Sequence, residues 1–478
     1  MAPKKTLNAN NLETLGAPRL AELLIEIRTG SAASKRRLRL ELAGSQGSKE
    51  VASEIRKRLG SISRARTFIN WRKVKSLRKD LETQRMAIVD TLAAEDPAEA
   101  FEVIWQFLAL ADSVFSRSDD GSGALIESFH QACMDAGVIA KLADLNTDVL
   151  ASKIFSALQD NGYGQYDQLI TAMVPALGEE GLGQLRALFV KWSEEPQERS
   201  AEQDRQIKGW SSKGPVYEDE IYGNHRDLTI RIALQEIADA LGDVDAYISQ
   251  QPKATRKVPM IAADIANRLL TAGRPEEALT ALDEVDRSDR SDIPFDWQLA
   301  RLQTLEALAR SEEAQAYRWM CFERSLNDQH LRDFLRRLPD FDDMEAEERA
   351  FNYAQAFPDA NRALAFFLLW PNLKEAAKLV TARQAELDGD LYELMTPAAE
   401  ALQMKYPLAA TILLRSMIDF TLDRARSSRY KHAARHLAEC LALALHIDDF
   451  GNGKSHDAYS AGLKYRHGKK HGFWKHIG

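Results

Sequence analysis

The sequence predicts an all-α chain of stacked helical hairpins, an α-solenoid, and three observations carry that prediction. Residues Ile265 to Val285, IANRLLTAGRPEEALTALDEV, hold a complete helix–turn–helix with its stop and start signals in place. Elsewhere apolar residues recur at helical spacing, and no stretch alternates as a strand does over more than four or five residues. Gly and Pro are few, 25 and 15 in 478 residues, which argues against a strand-and-turn architecture.

The hairpin follows from its residues. Ile265, Leu269 and Leu270 make an apolar stripe, and Ala262 and Ala266 let a second helix approach closely. Gly273 supplies a left-handed stop, Pro275 suits the first turn of the next helix, and Glu276 and Glu277 complement its N-terminal dipole. Ala278 and Leu282 form the facing stripe. Such a pair cannot bury both faces alone, so it must stack on neighbours of its own kind. A second copy stands at Leu302 to Cys321, where SEEAQA replaces RPEEAL and Ala314 takes the place of Ala278 thirty-six residues on. This is similar to the tetratricopeptide repeat, whose period is about 34 residues. The expected repeat-packing residues are Ala266, Leu269, Gly273, Ala278, Leu282 and Ala314.

In chain order, residues 1–48 read as a leader with one helix and a basic KRRLRLEL segment. Residues 49–193 form an N-terminal helical region. In it Ile55, Leu59 and Ile62 share a face, as do Trp71, Val74, Leu77 and Leu81, and a long helix over PAEAFEVIWQFLALADSVF opens with Asp96 as N-cap and Pro97 at the first position. Further on, Thr147 and Asp148 offer a cap and Gly162 a stop, and 178–193 is another helix. Residues 194–225 are charged, with Pro, Gly and Ser and no apolar period, and read as a linker. Helical repeats follow over 226–426, with GDVDAYI as a turn and three short helices separated by Pro339, Pro358 and Pro371. A basic, His-rich hairpin closes the chain over 427–478 across DDFGNGKS.

Composition is that of a folded protein, 45% hydrophobic and 28% charged. Cys133, Cys321 and Cys440 have no CxxC spacing and read as buried thiols in a reducing cytoplasm. The N-terminus lacks the apolar core of a secretory signal. ALAFFLLW at 363–370 is too short to span a membrane, and Arg415 interrupts the other apolar run, PLAATILLRSMI.

The order of segments, a basic IRKRL helix, a DDG loop after a long apolar helix, LGEEGL, GDVDAYI, AGRPEEAL and RYKHAARHL…HDAYSAGLKYRHGKK, resembles the helical region that follows the finger in bacterial SWIM-type zinc-finger proteins. It is most similar to a related proteobacterial domain-of-unknown-function family. The resemblance covers residues 50–478 and implies a tetratricopeptide-like array with no established activity. A SWIM finger needs CxC followed by CxH to hold zinc. Neither spacing occurs, so the finger's zinc does not carry over.

Two charge features stand out. From Lys35 to Lys79 there are fifteen Lys/Arg against Glu41, Glu50 and Glu54, a local net charge of +12 on a chain of −8. Lys73, Lys75, Arg78 and Lys79 beside Trp71 are the candidate polyanion-binding residues; the alternative is a solvated helix face. Seven of ten histidines lie between His432 and His476, and His432, His436 and Cys440 fall along one helical strip. Lys464, Arg466, Lys469 and Lys470 oppose a cation there, so no metal is expected. The acidic run from Asp342 to Glu348 and the pair Asp119 and Asp120 read as hydrated helix-end residues. Of the aromatics outside any apolar period, Trp210, Tyr217, Tyr222, Phe473 and Trp474, the expectation is that they pin their segments to the array.

There is no GxxxxGK[ST], no GxGxxG after a strand, no HExxH and no GxSxG. The expectation is a non-enzymatic cytoplasmic scaffold without cofactor or catalytic residue. It binds a protein or peptide in a groove centred on 226–440, or alternatively nucleic acid through 35–79.

Overall fold

The structure is a computed structural model that describes residues 8–27, 32–196, 207–211, 214–285, 293–451 and 453–477. Among the described residues the chain is helical, as expected, apart from one short ribbon. Ile207–Ser211 pairs antiparallel with Gly214–Tyr217, Ser211 lying opposite Gly214. The ribbon, five residues against four with Gly209, Gly214 and Pro215, rests on main-chain pairing and leaves no hydrophobic alternation to read, so the helical fold class stands.

Two compact units divide the chain, Met1–Thr255 and Arg256–Gly478. The stretch 194–225 therefore falls within the first unit, and 197–206 and 212–213 lie outside the described residues. Glu218–Ala240, which begins inside this stretch, packs on Leu169–Glu194.

In the first unit the core runs from Ala43 to Ile237 and includes Ile55, Leu81, Phe107, Phe129 and Leu185, all essentially without exposure. The expected faces hold: Ile55, Leu59 and Ile62 are buried, as are Val74, Leu77 and Leu81. Trp71 instead points outward, 68% exposed. Helices Ala124–Leu142 and Leu169–Glu194 cross in direct contact because Gly137 has no Cβ. One built there would sit 2.0 Å from the Ala172 carbonyl oxygen.

Several boundaries differ from expectation. Asp96 caps as predicted, accepting from the Glu99 amide at 3.0 Å. The long helix behind it breaks, however, into Pro97–Leu108 and Ala111–Phe115. Asn146, not Thr147, is the next cap, its side chain accepting from the Val149 amide at 3.1 Å. Gly162 lies beyond the end of that helix at Gln159. The predicted 178–193 helix is the second half of Leu169–Glu194, bent at Gly178. In GDVDAYI only Gly242 turns; Asp243 caps a new helix, Val244–Gln250. The three short helices expected between Phe334 and Val380 are Asp342–Gln355, Ala360–Leu369 and Leu373–Ala382, and a further helix, Asp328–Leu335, leads into them.

In the second unit Pro259–Thr271 packs on both Pro275–Asp283 and Phe295–Ala307, and the latter packs on Ser311–Ser325. Ala266, Leu269, Ala278, Leu282 and Ala314 are all buried. Gly273 has φ +73°, its amide bonding Leu270 O at 3.0 Å while Arg274 N bonds Leu269 O at 2.8 Å. This pair of bonds defines a left-handed helix stop that satisfies the last carbonyls. The same stop recurs at Ala309, φ +57°, where Arg310 N reaches Leu305 O at 2.9 Å. The unit's larger core runs from Phe322 to Phe473 and is centred on Leu364, Phe367, Leu413 and Ile418.

Candidate functional site

The basic block folds as helices Ala32–Gly44, Ser48–Ser63 and Trp71–Ala87. A cleft of about 800 Å³ among them is lined by Arg36, Arg39, Lys49, Lys57 and Arg58, with Glu50 and Glu54 also on its wall. Much of its charge is neutralised. Arg36 and Arg58 converge on Asp80, Lys57 meets Glu54 at 2.7 Å, and Arg56 pairs with Glu99. Of the four predicted polyanion residues, Arg78 is drawn to Glu127 at 2.7 Å, while Lys73, Lys75 and Lys79 stay exposed. Beside them Phe68 is 62% exposed, and Arg72 lies 5.1 Å from the centroid of the exposed Trp71 ring.

The C-terminal histidines do not converge. His436 is buried and its Nδ1 meets Glu439 at 2.9 Å, His467 faces Asp423 at 3.0 Å, and His456 meets Ser460 at 3.2 Å. Cys440 is packed beneath them, and burial pushes its thiol up to about 12. Among the described residues no three His, Cys, Asp or Glu side chains are placed to hold a metal ion. Asp120 accepts from the Leu125 and Ile126 amides at 2.9 and 3.1 Å, and so serves as a cap. Phe473 is buried and Trp474 Nε1 donates to His467 O at 2.9 Å, so both pin the terminus. The side chains of Trp210, Tyr217 and Tyr222 lie outside the described residues.

Sequence reasoning missed a trough in the second unit. Two cavities of about 710 and 690 Å³ adjoin there, sharing Thr381 and Leu408. Helices Leu373–Ala382 and Pro407–Asp423 wall both, and residues after Tyr430–Ala444, His446 to Asp449 in one cavity and Phe450, Gly451, Gly453 and Lys454 in the other, add to the lining. Leu387, Leu408, Ile412, Phe420 and Phe450 give the second cavity apolar walls.

Arg415 stands among them. Its Nη1 donates to Lys454 O at 2.7 Å, and its guanidinium lies 4.4 Å from the Tyr459 ring centroid and 5.5 Å from that of Phe450. Its Nε and Nη2 are buried away from solvent without a nitrogen or oxygen partner, and the guanidinium lies against the buried Cys440 thiol. Asp419, one turn on, accepts at Oδ1 from Arg466 Nη2 at 3.0 Å. Burial lowers the Arg415 and His456 pKa values and raises those of Asp419 and Tyr459. Perturbed groups gathered at a cavity make it the candidate site of this unit. The signal was present in the sequence as an arginine inside PLAATILLRSMI, which was read there only as an obstacle to membrane insertion.

Residues 2–476 match a protein family described as a family of unknown function (DUF6880). No curated protein matches the chain.

Proposed function

The chain belongs to the DUF6880 family of unknown function, and from that premise we propose that it is a non-enzymatic helical-repeat scaffold that binds a protein or peptide partner in its second unit. The observation that supports this reading is the trough. Its two adjoining cavities, lined by successive helices and apolar at their junction, offer room for side chains of an extended segment. The stop repeated at Gly273 and Ala309, with each helix packed on its sequence neighbours, supports a tetratricopeptide-like arrangement. Segment order supports kinship with the helical region of SWIM-type proteins, and three buried free thiols support a cytoplasmic location.

Leu408 lies at the junction of the cavities, half-buried, so Leu408→Glu places a charge where a partner would pack. The expected outcome is a stoichiometric partner recovered from native cytosol by the parent chain and lost by this variant, with circular dichroism and melting unchanged. Equal recovery by both, or no partner under several conditions, counts against the reading.

A second reading, nucleic-acid binding through 35–79, is favoured by exposed Phe68 and Trp71 standing among exposed Lys73, Lys75 and Lys79. Aromatic faces stack on bases while cations track the backbone. The check is the slope of log affinity against log salt for single-stranded DNA and RNA. Lys73→Ala is expected to reduce it by about 1. Binding that ignores salt ends this reading.

A further inference from the structure

We propose that a further pocket of the second unit, beside the trough, is a receptor for a phosphate monoester. Its volume is about 290 Å³, at the lower end of the range for small-molecule sites. Helices Tyr392–Leu402 and Pro407–Asp423 and the start of Tyr430–Ala444 contribute its walls. Arg429, His432, Arg435 and His436 line it, and no Asp or Glu does. Gly389 lines both this pocket and the second cavity of the trough, so the two adjoin.

The pocket's polar groups are both unmet and reachable. His436 is 6% exposed, its Nδ1 meets Glu439 at 2.9 Å, and its Nε2 has no hydrogen-bond partner among the described residues. The Thr421 hydroxyl, on a residue 5% exposed, has none either. Neither atom is sealed from solvent, so a ligand entering the pocket reaches it. Arg429 gives Nη1 to Asp390 at 2.6 Å and Arg435 turns Nε to Glu439 at 3.3 Å, which leaves the other nitrogens of both guanidinium groups unpaired among the described residues. Both imidazoles donate from two nitrogens when charged, a state that a neighbouring oxyanion favours. Helix Tyr430–Ala444 also begins at this wall with no side-chain cap and no acidic residue in its first turn, so its positive end is uncompensated.

The arrangement of donors defines the ligand. Thr421 comes from one helix and the four cations from another, while Thr396, on a third, spends its hydroxyl only on the weak acceptor Met417 Sδ at 3.6 Å. A carboxylate presents two oxygens in one plane. A phosphate monoester presents three around a tetrahedral centre with about −1.5 to −2 charges, which suits donors drawn from several helices. Tyr392, Met417 and Ala433 supply wall for the body of the ester. The phosphate has two sources, a free small monoester or a phosphorylated side chain of a partner segment seated in the adjoining trough. In the second case the inference rests on the partner-binding reading above; in the first it stands without it.

The test is calorimetric titration of the full chain with inorganic phosphate, with glycerol 3-phosphate and glycerol, and with one hexapeptide carrying either phosphoserine or serine. At least one phosphorylated ligand is expected to bind ten-fold or more tightly than its unphosphorylated counterpart. Arg429→Gln and Thr421→Val should each weaken that binding roughly ten-fold with circular dichroism unchanged, while Lys464→Met, which removes an exposed cation outside the pocket, should leave it as it was. Binding of glycerol 3-phosphate assigns the free monoester; binding of only the phosphoserine peptide assigns the partner side chain. Equal weakening by Lys464→Met would overturn the pocket in favour of diffuse attraction to a basic surface. So would binding of inorganic phosphate alone, or no binding of any phosphate. Serine and phosphoserine peptides binding alike, with glycerol 3-phosphate silent, would overturn the receptor while leaving partner binding intact. Phosphorylated and unphosphorylated ligands are compared on the parent chain, so that arm decides even where a variant fails to fold.

Discussion

Glu236 shows what a single side chain carries in this protein. It sits half-buried on the inner part of Glu218–Ala240, and burial, followed by the charges of Asp167 and Asp239, pushes its carboxyl up to about 7. The unfolded chain releases that proton near the ordinary value of about 4.3. Between those two values the folded state binds the proton more tightly, so the stability this group contributes is fully present below about pH 4.5 and is lost as pH rises through 7. Glu236→Gln is therefore expected to melt higher than the parent, by a margin that grows from pH 5 to pH 8. A margin that stays flat across that range would show that the carboxyl is not perturbed. None of this was legible in QEIADAL, because the burial and the charge of Asp167, far away in sequence, act on it only once the chain is folded. Arg415 is the opposite case: an arginine in an apolar stripe was visible, but only folded neighbours reveal that two of its donors have no nitrogen or oxygen partner.

At the scale of the element, the parts that were legible are those whose physics is local. Asp96 with Pro97, Gly273 with Pro275, and the stripes of Ile55 and Leu81 are set by residues within a turn or two, and the structure keeps them. The parts that were not legible depend on what arrives from elsewhere. Nothing in FLALADSVF contains Gly or Pro, yet the helix breaks near Ala109. Thr147 was a reasonable cap until Asn146 took the position one residue earlier. The paired stops give the sharpest test of the hairpin reading. Gly273 and Ala309 hold the same left-handed geometry, and a Cβ at Gly273 would meet nothing within 4 Å, so only backbone strain separates the two residue types. A Cβ in that region costs roughly 1–2 kcal/mol, offset in part by glycine's greater unfolded freedom of about 0.5–1 kcal/mol. Ala309→Gly should stabilise and Gly273→Ala destabilise, each by roughly 0.5–1 kcal/mol, in urea titrations. Shifts of the same sign would deny that the two stops are equivalent.

For the molecule as a whole, composition and packing mark different boundaries. The shift toward charge, Gly and Pro over 194–225 is real, but Glu218–Ala240 returns to pack on Leu169–Glu194, and the division between units comes later, at Thr255. A linker in the compositional sense is a stretch that buries little of itself; a unit boundary is a place that few contacts cross. Each unit has its own apolar cluster, one from Ala43 to Ile237 and the other from Phe322 to Phe473. Cooperative opening follows contiguous cores, so damage to one cluster should be felt mainly within it. Leu81 is wholly buried in the first cluster and Phe367 in the second. Truncating either to Ala removes a large side chain and leaves a cavity, at a cost of about 2–5 kcal/mol. Hydrogen exchange followed by mass spectrometry resolves where that cost falls. Leu81→Ala should speed exchange in peptides from 43–237 and leave those from 322–473 as protected as in the parent, and Phe367→Ala should do the reverse. If either variant lowers protection evenly along the whole chain, the two clusters unfold as one, and the second unit's trough is not held by a separately stable core.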